Sequence, residues 1–344
     1  MKAEKEITIY DIAKKLNISP ATVSRALNEN KLVSHATRKK VTGMAEHLGY
    51  RQNLFASSLR LKKTNTIGVI IHELNSYFIT SVLAGIEKIV TSANYNLIIA
   101  HSAENADIEI ANAHNLFNKR VDGIIASLSF HTKDLSHFKQ FQNKNIPIVF
   151  FDRVFENSDG AKIVINNYQA GYDAASHLIE QGCKRIAHIT SSLTRNVYSE
   201  RLKGYKQALL DHNLNFKEKL LIVDGIKEED ATRSANRILS MKPLPDGIFI
   251  TNDFCAAVVM QQLKDKGIQI PADIAIVGFN NDIIGKVVSP KLTTINYPGY
   301  EMGQLAAQTL ISHLQGLWDM NVTSKMIIKS ELIIRESSLK KGKK

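Results

Sequence analysis

The stretch Ile9-Tyr10-Asp11-Ile12-Ala13-Lys14-Lys15-Leu16-Asn17-Ile18-Ser19-Pro20-Ala21-Thr22-Val23-Ser24-Arg25-Ala26-Leu27-Asn28 reads as two short helices joined by a tight turn. Ile12, Ala13 and Leu16 recur at the spacing that lines one helical face. Asn17 is a natural C-terminal stop, because Asn tolerates the left-handed backbone that ends a helix. Ser19 then offers an N-cap oxygen, and Pro20 falls at the first helical position, where a missing N–H costs nothing. Val23, Ala26 and Leu27 form the buried stripe of the second helix. Ala21, Thr22, Ser24, Arg25 and Asn28 remain on its other face. Such a pair is a helix-turn-helix.

A third helix is expected after Ser34, with Val41, Met44, Ala45 and Leu48 as its stripe and Gly49 at its end. Three stripes can close a miniature core. The outward face of the second helix suits DNA: Thr22 and Ser24 are short phosphate donors, Arg25 matches guanine acceptors and Asn28 matches adenine. A three-helix packing module with no DNA role is the alternative at this point. The segment Asn53–Arg60 is helix-compatible but too short to be stable alone in water. Leu59 beside Arg60 and Lys62 has the make-up of an apolar wedge for a minor-groove step; an ordinary linker with a buried Leu is the other reading.

Charge separates this head from the rest. Residues 1–63 carry 13 Lys/Arg against 5 Asp/Glu, and the whole chain of 344 residues is at +11, so the body is near neutral. A basic head on a neutral body points to a polyanion, although a solvated basic surface would look the same. With 44% apolar and 22% charged residues the chain is globular in composition. It has no apolar run of membrane-spanning length. The charged start Met1–Glu6 has no apolar leader segment, and Cys183 and Cys255 are too few for a disulfide framework or a four-thiolate metal site. A cytoplasmic protein without cofactor is expected.

After Thr66, apolar strands alternate with helices. Strands are expected at 67–71, 96–100, 123–126, 146–150, 162–165, 185–189, 220–223, 247–250 and 274–277. Helices are expected at 79–90, 170–181, 200–211, 229–239, 254–266 and 302–314. Such strands indicate parallel sheets covered on both faces, and some nine of them divide better into two layers than one. Ligands of open α/β sheets sit beyond the carboxyl ends of the strands. The residues there are Asn75 to Phe78, Asp152, Arg153, Arg195, Asn196, Arg201, Asn252, Asp253 and Asn280 to Asp282. They are polar with aromatic faces, as a site for a sugar or another small polar ligand would be, though loops are polar for exposure alone. No dinucleotide, P-loop, zinc-protease or nucleophile-elbow motif is present.

Together these residues resemble the lactose/galactose repressor (LacI/GalR) family of bacterial transcription regulators. The likeness rests on Thr8–Ala13, Ser19–Asn28, Val33-Ser34 with Thr37-Arg38, Leu48-Gly49-Tyr50, Phe151-Asp152-Arg153, Arg201–Tyr205, Asn252-Asp253, Val277-Gly278-Phe279 and Leu292–Ile295. It implies an all-α helix-turn-helix head with a hinge helix at about 53–60, spanning 1–63. An α/β core, 64–344, would follow, built as two doubly wound parallel-sheet subdomains like those of periplasmic binding proteins. The subdomains would comprise about 64–165 plus 296–326, and 166–295 plus 327–338. It implies a homodimer on a pseudo-palindromic operator in double-stranded DNA, answering to a small, carbohydrate-like effector. By position, Thr8, Tyr10, Ser19, Ala21, Thr22, Ser24, Arg25, Asn28, Tyr50, Asn53, Ala56 and Leu59 would meet DNA. Tyr77, Phe78, Asp152, Arg195, Arg201, Asn252, Asp253 and Asn280 would line the effector cleft.

The sequence departs from the family pattern in places. Ala21 offers no side-chain donor to bases, Asn75-Ser76-Tyr77-Phe78 replaces the commoner Asn-Pro-Phe-Phe, and Asn280 stands where Asp is usual. Arg195 beside Arg201 would suit an anionic effector, or else be an interdomain or solvent-facing Arg. A sugar receptor without a DNA role and an α/β enzyme using the same cleft are the rival readings; the basic head opposes the first and the missing nucleophile–base motif the second.

Overall fold

The computed structural model describes residues 7–28, 30, 32–50 and 63–340. Two units are formed, Met1–Thr64 and Asn65–Lys344. The expected hinge helix, with Asn53, Ala56 and Leu59, lies outside the described residues.

The first unit holds α1 (Ile9–Leu16), α2 (Pro20–Leu27) and α3 (His35–His47). Its boundaries follow from local chemistry. The Thr8 hydroxyl and amide donate to Asp11 Oδ2 at 2.7 and 2.8 Å, fixing the first turn of α1. Asn17 ends that helix in the left-handed region, φ 53°. Ser19 Oγ accepts the Thr22 amide at 3.1 Å, and Ser34 Oγ accepts the Thr37 amide at 3.2 Å. Ile12, Val23 and Val41 are fully buried where the three helices meet.

In the second unit twelve strands form two six-stranded sheets among the described residues. One contains β1 (Thr66–Ile71), β2 (Asn96–His101), β3 (Gly123–Ala126), β4 (Ile148–Phe151), β5 (Ala161–Ile165) and β11 (Lys325–Ile328) in the order β11-β5-β4-β3-β1-β2, all parallel. The other contains β6 (Ile186–Thr190), β7 (Leu221–Val223), β8 (Gly247–Ile250), β9 (Ala275–Asn280), β10 (Thr293–Asn296) and β12 (Leu332–Ile333) in the order β12-β10-β9-β8-β6-β7. The sheets therefore repeat one strand order although the sequence shows no repeat. The second departs from the all-parallel arrangement that the sequence predicts: β12, three residues after β11, runs antiparallel to β10.

Helices cover the sheets: α4 (Tyr77–Ser92), α5 (Ala106–Asn118), α6 (Lys139–Gln142), α7 (Asn167–Glu180), α8 (Asn196–Asp211), α9 (Glu228–Ser240), α10 (Asp253–Asp265), α11 (Ile284–Val287) and α12 (Gly299–Leu314). The chain passes between sheets three times, at 166, at 297–298 and at 329–331. The expected boundary between 326 and 327 would cut β11, whose whole length pairs with β5. Two helix pairs lie backbone to backbone. A Cβ at Gly85 of α4 would overlap the Tyr300 carbonyl of α12, and one at Gly204 of α8 would overlap the Tyr168 carbonyl of α7. These contacts clamp each sheet's helical layer and so hold its strand ends in place.

Candidate functional site

On α2 the described outer face carries Ala21, Arg25 and Asn28 exposed, with Thr22 and Ser24 half-buried. The Arg25 guanidinium makes no hydrogen bond or ion pair with another described residue. Asn28 Nδ2 donates to the Ser24 carbonyl at 2.8 Å. Ser19 and Thr22 share a hydroxyl contact at 2.9 Å, and both shape the turn. The Thr8 hydroxyl is engaged by Asp11, Tyr10 is 68% exposed, and Tyr50 is half-buried against the head's core. What the head offers outward is thus a cation and an amide at the end of a helix whose other face is locked by Val23 and Ala26.

In the second unit the segments beyond the carboxyl ends of β3 and β4 are bonded to those beyond β6 and β10, which brings the strand ends of the two sheets face to face. Asp152 ends β4 with φ 58° and is buried. Its Oδ1 accepts the Tyr297 hydroxyl at 2.5 Å and its Oδ2 the Ser127 hydroxyl at 3.4 Å; His72 Nδ1 lies 3.0 Å from that same Ser127 oxygen. Burial pushes the Asp152 carboxyl up, opposed by Arg153. Phe78 stacks on Tyr297 with centroids 4.1 Å apart, whereas Tyr77, the first residue of α4, is exposed.

Arg201 is buried on α8. Its Nε donates to Asn167 Oδ1 at 2.8 Å, Nη1 donates to the Thr251 carbonyl at 3.4 Å, and the guanidinium lies 3.5 Å over the Phe279 ring. Arg195 bridges the two subdomains: its guanidinium donates to the Phe130 carbonyl at 3.0 Å and also to the Thr132 carbonyl. Next to it, Asn196 donates from Nδ2 to the Asp152 carbonyl and accepts the Val154 amide on Oδ1, both at 3.0 Å. Of the two roles open to Arg195 in the sequence, this geometry matches the interdomain one. The receiving loop is gripped from below, where the wholly buried Glu109 accepts the Ser129 amide at 2.8 Å and the Thr132 hydroxyl at 2.9 Å.

Two expected ligand contacts are tied within the second sheet. Asn252 caps α10 by accepting the Cys255 amide at 3.0 Å. Asp253 is completely buried; Oδ1 accepts the Thr294 hydroxyl at 2.7 Å and Oδ2 the Asp282 amide at 2.8 Å. Asp253, expected from the sequence to meet ligand, has one oxygen taken by Thr294 of β10 and the other by the Asp282 amide after β9, an arrangement that positions the end of the second sheet. Asn280 ends β9 at φ 122°, outside the left-handed well, a conformation its neighbours must sustain at about 1–3 kcal/mol.

Burial, with Asp253 adjoining, pushes the Asp282 carboxyl up to about 7, and burial pushes Asp253 to about 6. Asp282 Oδ1 is buried with no hydrogen-bond partner among the described residues. A raised folded-state pKa contributes stability that is present below the ordinary carboxylate value and is lost as pH rises through the folded value. Stability should therefore fall between about pH 4 and 7 from these two acids. Asp282→Asn should raise the melting temperature at pH 8 by roughly 2–4 °C and change it little at pH 4, as scanning calorimetry would record.

Sequence reasoning missed Tyr297. The pattern Thr294-Ile295-Asn296 before Pro298 marks a strand end, but β10 had not been counted as a strand, so the residue beyond it was not placed with the others. Ser127 and His72, just past β3 and β1, follow the same rule, and neither residue type stands out in the sequence as Asn, Asp and Arg do.

Residues 8–53 match the model of the bacterial regulatory proteins of the lacI family, and residues 175–338 match a periplasmic binding protein-like domain. The catabolite control protein A of Priestia megaterium is 33% identical over 90% of this chain and 92% of that protein. The transcriptional repressor PurR of Vibrio atlanticus is 32% identical over the same shares. A solved periplasmic binding protein/LacI transcriptional regulator from Alkaliphilus metalliredigens, complexed with D-xylulofuranose, superposes with a TM-score of 0.69 at 29% identity, covering 80% of this chain and 99% of that one. Matched at both ends of the chain and along nine-tenths of its length, this protein belongs to the lacI family of bacterial regulatory proteins, DNA-binding transcription regulators with a ligand-binding core.

Proposed function

We propose that this protein is a cytoplasmic repressor that reads a two-fold operator with the outer face of α2 and is regulated by a small polar ligand, of the sugar class, bound between the two sheets. The observation that carries the DNA reading is Arg25, exposed and without a side-chain partner among the described residues, on a helix whose opposite face buries Val23 and Ala26. Among the described residues no helix is long and apolar enough to cross a membrane. The sugar class is supported by the D-xylulofuranose complex of the Alkaliphilus relative and by the polar, aromatic make-up of the cleft. Binding rather than catalysis is favoured by the order of the buried chain His72–Ser127–Asp152. A nucleophile needs a base that is itself oriented by the acid, and here the serine stands between the two.

The test is selection of genomic fragments by the full-length protein, followed by titration of the selected site at rising salt. Affinity should fall steeply, since phosphate contacts release counterions. Binding with no sequence preference, or with no salt dependence, would overturn the reading.

Dimerisation follows from the sheet edges. β2 and β7 are the outer strands of their sheets and present Ile99 and Val223 to solvent. An apolar open edge is what a two-fold partner covers. Ile99→Lys should shift the sedimentation profile toward monomer and weaken operator binding on the order of tenfold or more.

A further inference from the structure

Tyr297 belongs to neither sheet. It sits in the two-residue passage between β10 and α12, is 6% exposed, and presents a hydroxyl on a flat ring to the cleft's acid. The hydroxyl donates to Asp152 Oδ1, the ring lies face to face on Phe78 with 18° between planes, and the edge of Phe279 closes the side at 5.7 Å. Burial and the adjoining Asp152 carboxylate keep the phenol protonated, hence a donor. Hydroxyl to carboxylate and ring face to aromatic face are the two contacts by which such a site would hold a ring-bearing ligand. The protein also covers other aromatic faces of the cleft: Arg201 covers Phe279, and Arg153 covers Phe130 at 4.0 Å.

We propose that Tyr297 is a built-in occupant of the cleft and its specificity-determining residue: the phenol holds the Asp152 subsite, and a ligand gains that subsite by displacing it. This rests on the cleft being the ligand site. The displacing ligand carries a hydroxyl donor on a six-membered ring with an apolar face, either the C–H face of a pyranose or the ring face of a phenol. Because Tyr297 is part of a passage between the sheets, displacing it moves a connection between subdomains, so occupancy and subdomain geometry are one equilibrium. Ligand specificity then depends on how well a compound outcompetes an internal phenol.

The reporter is the Val154 amide, whose bond to Asn196 spans the subdomains. Amide exchange is measured on the full-length protein and on Tyr297→Ala, alone and with p-cresol or methyl β-D-glucopyranoside. Tyr297→Ala should speed Val154 exchange by at least about tenfold while the centres of β3 and β8 stay protected. Restoration by p-cresol marks the phenolic class and restoration by the glucoside the sugar class, since a cavity left by a deleted ring accepts a ring in its place. Unchanged exchange, or a loss that neither compound reverses, overturns the proposal. Should the alanine variant not fold, Tyr297→Phe keeps the ring and deletes only the donor. Exchange at Val154 should then rise on the order of tenfold with the melting temperature held, and no rise overturns the proposal. Loss of operator recognition by the wild-type protein would defeat the functional reading and leave these exchange outcomes standing.

Discussion

Gly204→Val should lower the melting temperature of the core on the order of 10 °C and abolish cooperative unfolding of the second subdomain first. A side chain at this position meets backbone, not a side chain that can rotate away: its Cβ would overlap the Tyr168 carbonyl and lie 2.7 Å from the Tyr172 amide nitrogen. The only relief is to move α8 off α7. Arg195, Asn196 and Arg201 all ride on α8 or its cap, so the same shift dismantles the bridge to Asp152, Phe130 and Thr132. Gly43→Ala is the control. Gly43 lies inside α3 with nothing within 4 Å of the added methyl, and there alanine should stabilise by about 0.5–1 kcal/mol. Calorimetry of the two variants separates a glycine required by contact from one that only loosens a helix; equal behaviour would defeat the argument.

Arg25→Ala should cost about 1–3 kcal/mol of discrimination between operator and random DNA. The head should remain folded, because the Arg25 side chain is exposed and has no described partner to lose. Val23→Ala is the contrasting variant. Val23 is wholly buried between the three helices, and its truncation should melt the head and remove specific and non-specific binding alike. Competition titrations beside thermal melts distinguish the two. An Arg25→Ala protein that kept its full preference would show that bases are read elsewhere.

The head was legible because its signals are local: a cap, a proline and a stop within twenty residues leave few alternatives. Nine strands were legible for a similar reason, as each is a short apolar run between helices. β10, β11 and β12 were not. Thr293-Thr294-Ile295-Asn296 has little apolar character, and Thr293 and Thr294 are buried only because Ser337, Ser338 and Asp253 satisfy their hydroxyls and amides. That partnership spans more than forty residues and leaves no periodicity to read. The cleft was half legible. Strand order points to Asp152 and to Arg201 on the helix after β6, both buried, but nothing in the sequence says that the carboxylate of Asp253 turns inward or that Arg195 reaches across to carbonyls of the other subdomain.

The last stretch of chain before 334 supplies an outer strand to each sheet, β11 to the first and β12 to the second. During synthesis both sheets therefore wait, one strand short, until residues 325–333 have been made. A ribosome stalled before Lys325 would leave β5 and β10 as bare ladders at once, in the same molecule. Open ladders recruit strands from other chains. Termination shortly before Lys325 should thus yield aggregates rather than a soluble fragment, as sedimentation of a protein truncated there would show.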